Sequence, residues 1–263
     1  MIEKIKAGKP LDDIFIFDCH GHIGSGNEKY YSAPYAADIV STQKALGINA
    51  TCVSSFMAFR SDYSKGHDEV ISAIQAFPDR IYGYACLSPY YPIEPELERC
   101  FKCGGFLGIK IIMAYFEPRF TLAIDDERMT SGFEYADRHN LPVLIHTWSP
   151  HEVVQSVNLA KKYRNANFII AHSAWTGYAA KCETIDAVKK YDNVFVDTAI
   201  STTYEGSVEW LVDKIGCEKI LFGTDMQSFD CRQTFGRIAL SKIKEEEKIK
   251  IFGQNAKKIF EIK

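Results

Sequence analysis

The chain has 263 residues, a formal net charge of −3, 46% hydrophobic residues and 25% charged residues, the make-up of a globular protein with one large core or two small ones. No basic patch stands out, so nucleic acid is not an expected partner. The opening "MIEKIKAGKP" is charged and has no apolar signal core, and the longest apolar run, "FLGIKIIM", is strand-sized, so a cytoplasmic protein with no membrane partner is expected.

Eight short apolar, β-branched runs recur along the chain. They are "IFIFDCH" from Ile14, "ATCVSSF" from Ala50, "IYGYACL" from Ile81, "FLGIKII" from Phe106, "PVLIHTW" from Pro142, "NFIIAHS" from Asn167, "NVFVDTA" from Asn193 and "ILFGTD" from Ile220. Stretches with helical spacing and polar faces lie between them, such as "AADIVSTQKALG", "DEVISAIQAF", "RMTSGFEYADRHN" and "HEVVQSVNLAKKY". Near-continuous apolar strands imply a parallel sheet covered on both faces. Eight such units in this length predict an α/β fold, a (β/α)8 TIM barrel, over residues 1–263 as one domain. A doubly wound open sheet is the alternative, but it usually carries a glycine-rich turn after its first strand. Here histidines interrupt "GHIGSG", and no helix opens immediately after it. The tail reads as two helices split near Gly253, with "KIKEEEKIK" a solvated face.

Eight cysteines do not make a disulfide framework, because Cys19, Cys52 and Cys86 sit inside strand runs. Cys100 and Cys103 form a lone CxxC without the second pair that a zinc ribbon needs.

Barrel chemistry gathers at the C-terminal ends of strands. Strand one ends in His20 and His22, strand five in His146, strand six in His172, strand seven in Asp197 and strand eight in Asp225, while strand four contains Lys110. His67, His139 and His151 fall in loops or helix flanks. Strand side chains alternate faces, so His20 and His22 point the same way, into the mouth, and Cys19 points toward the helices. Imidazoles and a carboxylate converging from distant strands suit zinc and similar first-row metals, and a bound metal lowers the pKa of its water to about 7. Singly, each residue has a plainer reading. Asp225 could cap a helix, Lys110 could snorkel, and a strand-end histidine is often just hydrogen-bonded. The joint pattern favours a metal site.

Beyond these residues, the chain resembles the amidohydrolase superfamily, in the branch that includes aminocarboxymuconate-semialdehyde decarboxylase. "FDCHGHIG" resembles its opening D-x-H-x-H, and "HDEVISAIQAFPDRIYGYACLSP" the segment through its strand three. "GFLGIKI" is similar to its strand-four G-x-K, and "LPVLIHTW" and "FIIAHSAW" to its strand-five and strand-six histidine motifs. "ILFGTDM" resembles its strand-eight G-[ST]-D, and "GQNAKKIFEI" its terminal helix. The resemblance implies a distorted barrel with one zinc held by His20, His22, His146 and Asp225, and His172 activating water or polarising the substrate. It also leaves open manganese, or a binuclear site bridged by a carbamylated Lys110. Gln227 stands where the family often has proline. The chain is also short for the branch, which bears on the substrate more than on the metal.

The expected activity is hydrolysis of a small carbonyl compound such as a lactone, ester or amide. Non-oxidative decarboxylation with the same residues is the alternative. His172 would be general base or electrophile, Asp225 a proton shuttle as well as a ligand, and Lys110 an anchor for a substrate anion. Arg60 could clamp a carboxylate or be an ordinary surface arginine. Trp148 and Trp175, with Tyr90, Tyr91, Tyr115 and Phe116, could line an apolar pocket, and Asp197 is expected to orient a neighbour. A non-catalytic barrel, or the polymerase-and-histidinol-phosphatase barrel that also opens with HxH, fits less well: that barrel has seven strands and more metal-binding histidines. A homodimer is possible.

Overall fold

The computed structural model describes residues 1–24, 35–113, 122–173, 178–199 and 204–262. Its strands are β1 (Phe17–Ile23), β2 (Ala50–Ser55), β3 (Ile81–Cys86), β4 (Phe106–Ile111), β5 (Pro142–Ile145), β6 (Asn167–Ile170), β7 (Val194–Asp197) and β8 (Ile220–Leu221). They pair in chain order, each parallel to the next. The helices between them are α1 (Ile2–Lys6), α2 (Ala36–Leu46), α3 (Phe56–Arg60), α4 (Tyr63–Ala76), α5 (Ile93–Lys102), α6 (Thr130–Arg138), α7 (Pro150–Lys162), α8 (Tyr178–Lys190), α9 (Ser207–Ile215) and α10 (Cys231–Leu240). After them come α11 (Glu245–Ile249) and α12 (Asn255–Ile259). This is the expected alternation of strand and helix.

Local chemistry sets the helix ends. Ser149 and Glu152 form a reciprocal capping box with Pro150 in the first turn of α7. Asp62 caps α4 by accepting from the Lys65 N–H, and Gly47 ends α2 in the left-handed region. The short helix α3, directly after β2, had no periodic signal of its own.

Two buried clusters divide the core. One lies between the strands and the outer helices, for example Val53, Ile109, Val143 and Val196 with Val70, Leu97, Phe133 and Val153. The other takes Phe17 and Cys19, Ala50 and Cys52, Tyr84, Leu144, Ile169 and Leu221 from around the sheet, and Ala256, Ile259 and Phe260 from the last helix and its cap. A cluster fed from around the whole sheet is the barrel interior, so α12 plugs the end away from the mouth.

Past β8 the chain returns to β1. The Cys19 N–H donates to the Phe222 carbonyl at 2.8 Å, the Asp225 N–H to that of His20 at 2.7 Å, and the His22 N–H to that of Met226 at 3.1 Å. These bonds close the sheet, and the barrel is distorted at that seam because β8 has only two ladder residues.

Three expectations change. Cys19 faces the interior, not the helices: the β1–β2 register shifts between Asp18 and Gly21, which breaks strict alternation and turns both Cys19 and His20 inward. The tail is not split at Gly253. Helix α11 runs through a π-helical turn, Lys250–Gln254, into α12, and Gly253 is there because a Cβ would lie 2.3 Å from the Phe15 carbonyl oxygen. Lys248, inside the supposedly solvated run, is buried and donates to the Ala239 carbonyl at 3.0 Å. All eight cysteines are free thiols, and no helix among the described residues is long and apolar enough to cross a membrane. Gly253→Ala should therefore overpack the tail against Phe15 and lower stability by about 1–3 kcal/mol. Urea denaturation followed by circular dichroism checks this, and an unchanged midpoint would refute the close approach.

Candidate metal centre

His20, His22 and Asp225 meet at the barrel mouth, with ligand atoms all within 4.8 Å of one another. His22 Nε2 lies 3.0 Å from Asp225 Oδ1, and His20 Nε2 lies 3.8 Å from it. Asp225 Oδ1 is buried, yet it accepts no aligned hydrogen bond. A buried carboxylate oxygen left in this state costs free energy unless a cation takes it up.

Neighbours fix the tautomers. Asp197 Oδ2 sits 2.6 Å from His20 Nδ1, so that nitrogen carries the proton and Nε2 keeps its lone pair for the centre. Ser54 Oγ lies 3.1 Å from His22 Nδ1 and can accept its proton, and the ring stacks on Phe56 at 4.3 Å. His172 donates from Nδ1 to the Ala199 carbonyl at 2.5 Å, and its backbone N–H donates to Asp197 Oδ1 at 2.7 Å. Its Nε2 meets His146 Nδ1 at 3.0 Å. Asp197 thus orients two histidines at once.

Asp18 joins the strands that carry the ligands. Its Oδ1 accepts from the backbone N–H of His20 (3.1 Å) and of Thr224 (2.9 Å), and its Oδ2 accepts from the Thr224 hydroxyl at 2.5 Å. Gly223 is required beside it, since a Cβ there would come within 2.9 Å of His20 Cβ. Backbone strain gathers at the same place: His172, Ser173, Asp225 and Gln227 all have positive φ, 59°, 49°, 58° and 72°. Non-glycine residues hold such angles only where the surroundings over-determine them.

The electrostatics call for positive charge. Asp18, Asp197 and Asp225 are buried, and among the described residues Lys110 is the one buried ammonium beside them. Burial raises Asp18 to about 7 and Asp197 to about 6. Burial also pushes Asp225 up, but the imidazoles of His22 and His20 outweigh it and hold the carboxyl well below the usual range. Lys110 is brought down to about 8 by burial, and its Nζ lies 2.8 Å from His20 Nε2. His20 itself is held well below 6.5, by burial first and then by Lys110. Two nitrogens, a carboxylate oxygen and this excess of carboxylates over ammonium fit a divalent cation.

Not every expected residue joins the group. His146 stands beside it, between His172 and Trp148, whose indole N–H reaches His146 Nε2. Trp148 also packs on His172 at 5.3 Å. Arg60 is the last residue of α3, a short helix beyond β2. Trp175, Tyr115 and Phe116 lie outside the described residues. Tyr90 and Tyr91 are half exposed in the β3–α5 loop, Tyr91 stacked on Tyr63 at 4.9 Å. His67 is not in a loop. It is buried in α4, bonded to Glu96 Oε1 at 2.7 Å and to the Cys86 N–H at 2.8 Å, a structural histidine with both nitrogens in use. Sequence reasoning passed over Asp18, Ser54 and Thr224. Asp18 and Thr224 stood inside the quoted motifs, whereas Ser54 carried no signal.

A parallel eight-stranded barrel with histidines and carboxylates gathered at its mouth defines a class of enzyme, the barrel hydrolases and their relatives. The family model described as amidohydrolase matches residues 17–262, and the chain belongs to that family. No protein of curated function matches it in sequence. Solved structures share the fold. 5-Carboxyvanillate decarboxylase from Sphingomonas paucimobilis superposes with a TM-score of 0.73 at 12% identity, over 95% of this chain and 100% of that one. Dihydroxybenzoic acid decarboxylase from a Polaromonas species, with bound manganese and an inhibitor, gives 0.71 at 17% identity, over 94% and 97%. A probable 2-pyrone-4,6-dicarboxylic acid hydrolase from Acinetobacter baumannii gives 0.73 at 16% identity, over 95% and 100%.

The Asp18–Thr224 pair gives a stability test. Thr224→Val keeps the shape and removes the hydroxyl donor from a buried carboxylate, which should cost about 1–3 kcal/mol. Chemical denaturation reads the loss, and wild-type stability in this variant would show that the bond contributes nothing.

Proposed function

We propose that the chain is a one-domain cytoplasmic hydrolase that cleaves a small carbonyl compound, a lactone, ester or amide, with one zinc ion per chain. The observation that carries this reading is the buried, unbonded Oδ1 of Asp225 beside the inward-turned Nε2 atoms of His20 and His22. His20, His22 and Asp225 would hold the ion, with His146 completing the set once its ring leaves Trp148. Imidazole nitrogens with a carboxylate favour zinc, and manganese accepts the same donors. When bound, the ion supplies Lewis acidity toward a carbonyl and acidifies water.

The chain's own residues do the rest. His172, its Nδ1 proton fixed by the Ala199 carbonyl, presents Nε2 as the base for the attacking water. Asp225 carries the proton on to the leaving group. Asp197 keeps His20 in its working tautomer and holds the His172 backbone in place. Lys110 anchors a substrate anion from the floor of the mouth, Arg60 clamps a carboxylate at the rim, and Trp148 walls the pocket; Trp175, the other aromatic proposed to contact substrate, lies outside the described residues.

Decarboxylation is the second reading, supported by the shared fold with two aromatic-acid decarboxylases. The same cation and Lys110 would then bind the carboxylate side of the substrate, and His172 or Asp225 would deliver a proton to carbon.

Metal analysis of protein purified without added metal should find about one zinc per chain. His20→Ala and Asp225→Ala should each lose most of it, while His172→Asn keeps the metal and loses roughly 10²–10⁴-fold in kcat. No bound metal in the parent, with no gain in activity on adding zinc or manganese, would overturn the reading; two metals per chain would place a carbamate on Lys110. Across a panel of lactones, esters and aromatic carboxylates, water incorporation marks the hydrolase and released carbon dioxide the decarboxylase.

A further inference from the structure

Beside β7 a narrow cavity opens between the strand and helices α8, α9 and α10, bordered also by Asp197 and Ser173. Ile185, Val208, Leu211, Trp210 and Ile220 give it apolar walls, and Lys181 and Arg237 bring two cations to it.

Arg237 is the informative residue. Its Nη2 donates to the Thr198 carbonyl at 3.1 Å and to the Thr234 hydroxyl at 3.3 Å. Nε and Nη1 make no hydrogen bond to the described residues, and no carboxylate among them pairs with the guanidinium. Burial alone moves it, down to about 10. Arginine has five N–H donors in a fixed fork, and here both bonds go from Nη2. Lys181 is also shifted downward by burial, and its ammonium lies 5.8 Å from the Trp210 ring.

The third feature is the start of α9. Its N-cap is Gly206, with no side chain to cap the helix. Ser207 and Val208, the first residues of that helix, line the cavity, and the amides of the first turn concentrate partial positive charge there. A guanidinium with spare donors, an ammonium and the first turn of α9, whose Ser207 N–H donates to the Tyr204 carbonyl, thus border one largely apolar space together with Asp197.

We infer that this cavity is a binding site for a short-chain carboxylate, its carboxylate held between Arg237, Lys181 and the start of α9 and its alkyl end against Leu211 and Ile185. The size sets the class. The cavity volume of about 40 Å³ holds roughly three waters, enough for acetate or propionate and too little for an aromatic acid. Asp197 borders this cavity and also supports His20 and His172 at the candidate metal centre, and the occupant here need not be the substrate.

The test is titration calorimetry of the zinc-loaded full-length protein with acetate, propionate, benzoate and chloride, paired with crystal soaks in propionate. Saturable acetate and propionate binding is expected, with density at Arg237. Affinity should fall at least tenfold in Arg237→Gln and in Lys181→Met. Leu211→Trp, which fills the apolar end and leaves both cations, should abolish propionate binding and so keeps the test decisive if Arg237→Gln is poorly folded. Binding unchanged in all three variants, density at the metal centre only, or chloride and benzoate binding as tightly as propionate would each overturn the inference.

Discussion

The seam between β1 and the segment after β8 is the constraint on which the rest of the centre depends. The two ends of the barrel are far apart in sequence, and their ladder is too short to hold by itself. Backbone bonds from Cys19 and Asp225 close it, and the Asp18 carboxylate ties His20 to Thr224 across it. Each of these bonds is also a bond next to a metal-centre residue. Closing the barrel and setting the distance from His22 to Asp225 are therefore one event. The cost is visible in the left-handed backbone at Asp225 and Gln227 and in a carboxylate buried where water cannot reach it.

Burial then does the electrostatic tuning. In water, Asp197, Lys110 and His20 would titrate far from one another, whereas at the barrel mouth desolvation draws Lys110 down and Asp197 up toward the same range. Hydrogen bonds select the tautomers, and the tautomers decide which lone pairs face inward. The Asp197 carboxylate acts on two histidines, selecting the tautomer of His20 at its ring Nδ1 and accepting from the backbone N–H of His172. The support of the histidines is thus built into β7, a strand that contributes none of them.

Much of this was legible in the sequence, for reasons that can be named. Apolar runs at a regular period gave the eight strands, because a parallel strand buried on both faces has no polar alternation to disguise it. His20, His22 and Asp225 were visible because strand ends rarely need such residues. What stayed hidden depends on contacts between distant segments. Alternation predicted an outward Cys19, and a register shift between Asp18 and Gly21 turned it inward. Gly253 looked like a helix break, and its meaning lies in the Phe15 carbonyl against which it packs. His67 reads the same as any surface histidine until α5 supplies Glu96 and β3 supplies the Cys86 amide.

The place of His146 shows where resemblance and geometry part. The family pattern assigns it to the metal with His20 and His22, yet here its two nitrogens face His172 and Trp148. Both of its nitrogens are engaged, as are those of His20, which meet Asp197 and Lys110. Ligation by His146 therefore requires its ring to exchange the Trp148 indole for the cation, and Trp148 sits two residues along on the same loop. Asp225 differs: its buried Oδ1, 3.0 Å from His22 Nε2, accepts no aligned hydrogen bond. In the proposed reading His20, His22 and Asp225, which the closed seam holds in place, would hold the cation, and Trp148 would have to give way for His146 to join them. The β5 loop also carries a wall of the proposed pocket, so in this reading metal binding and the shape offered to the substrate would be coupled through a single indole.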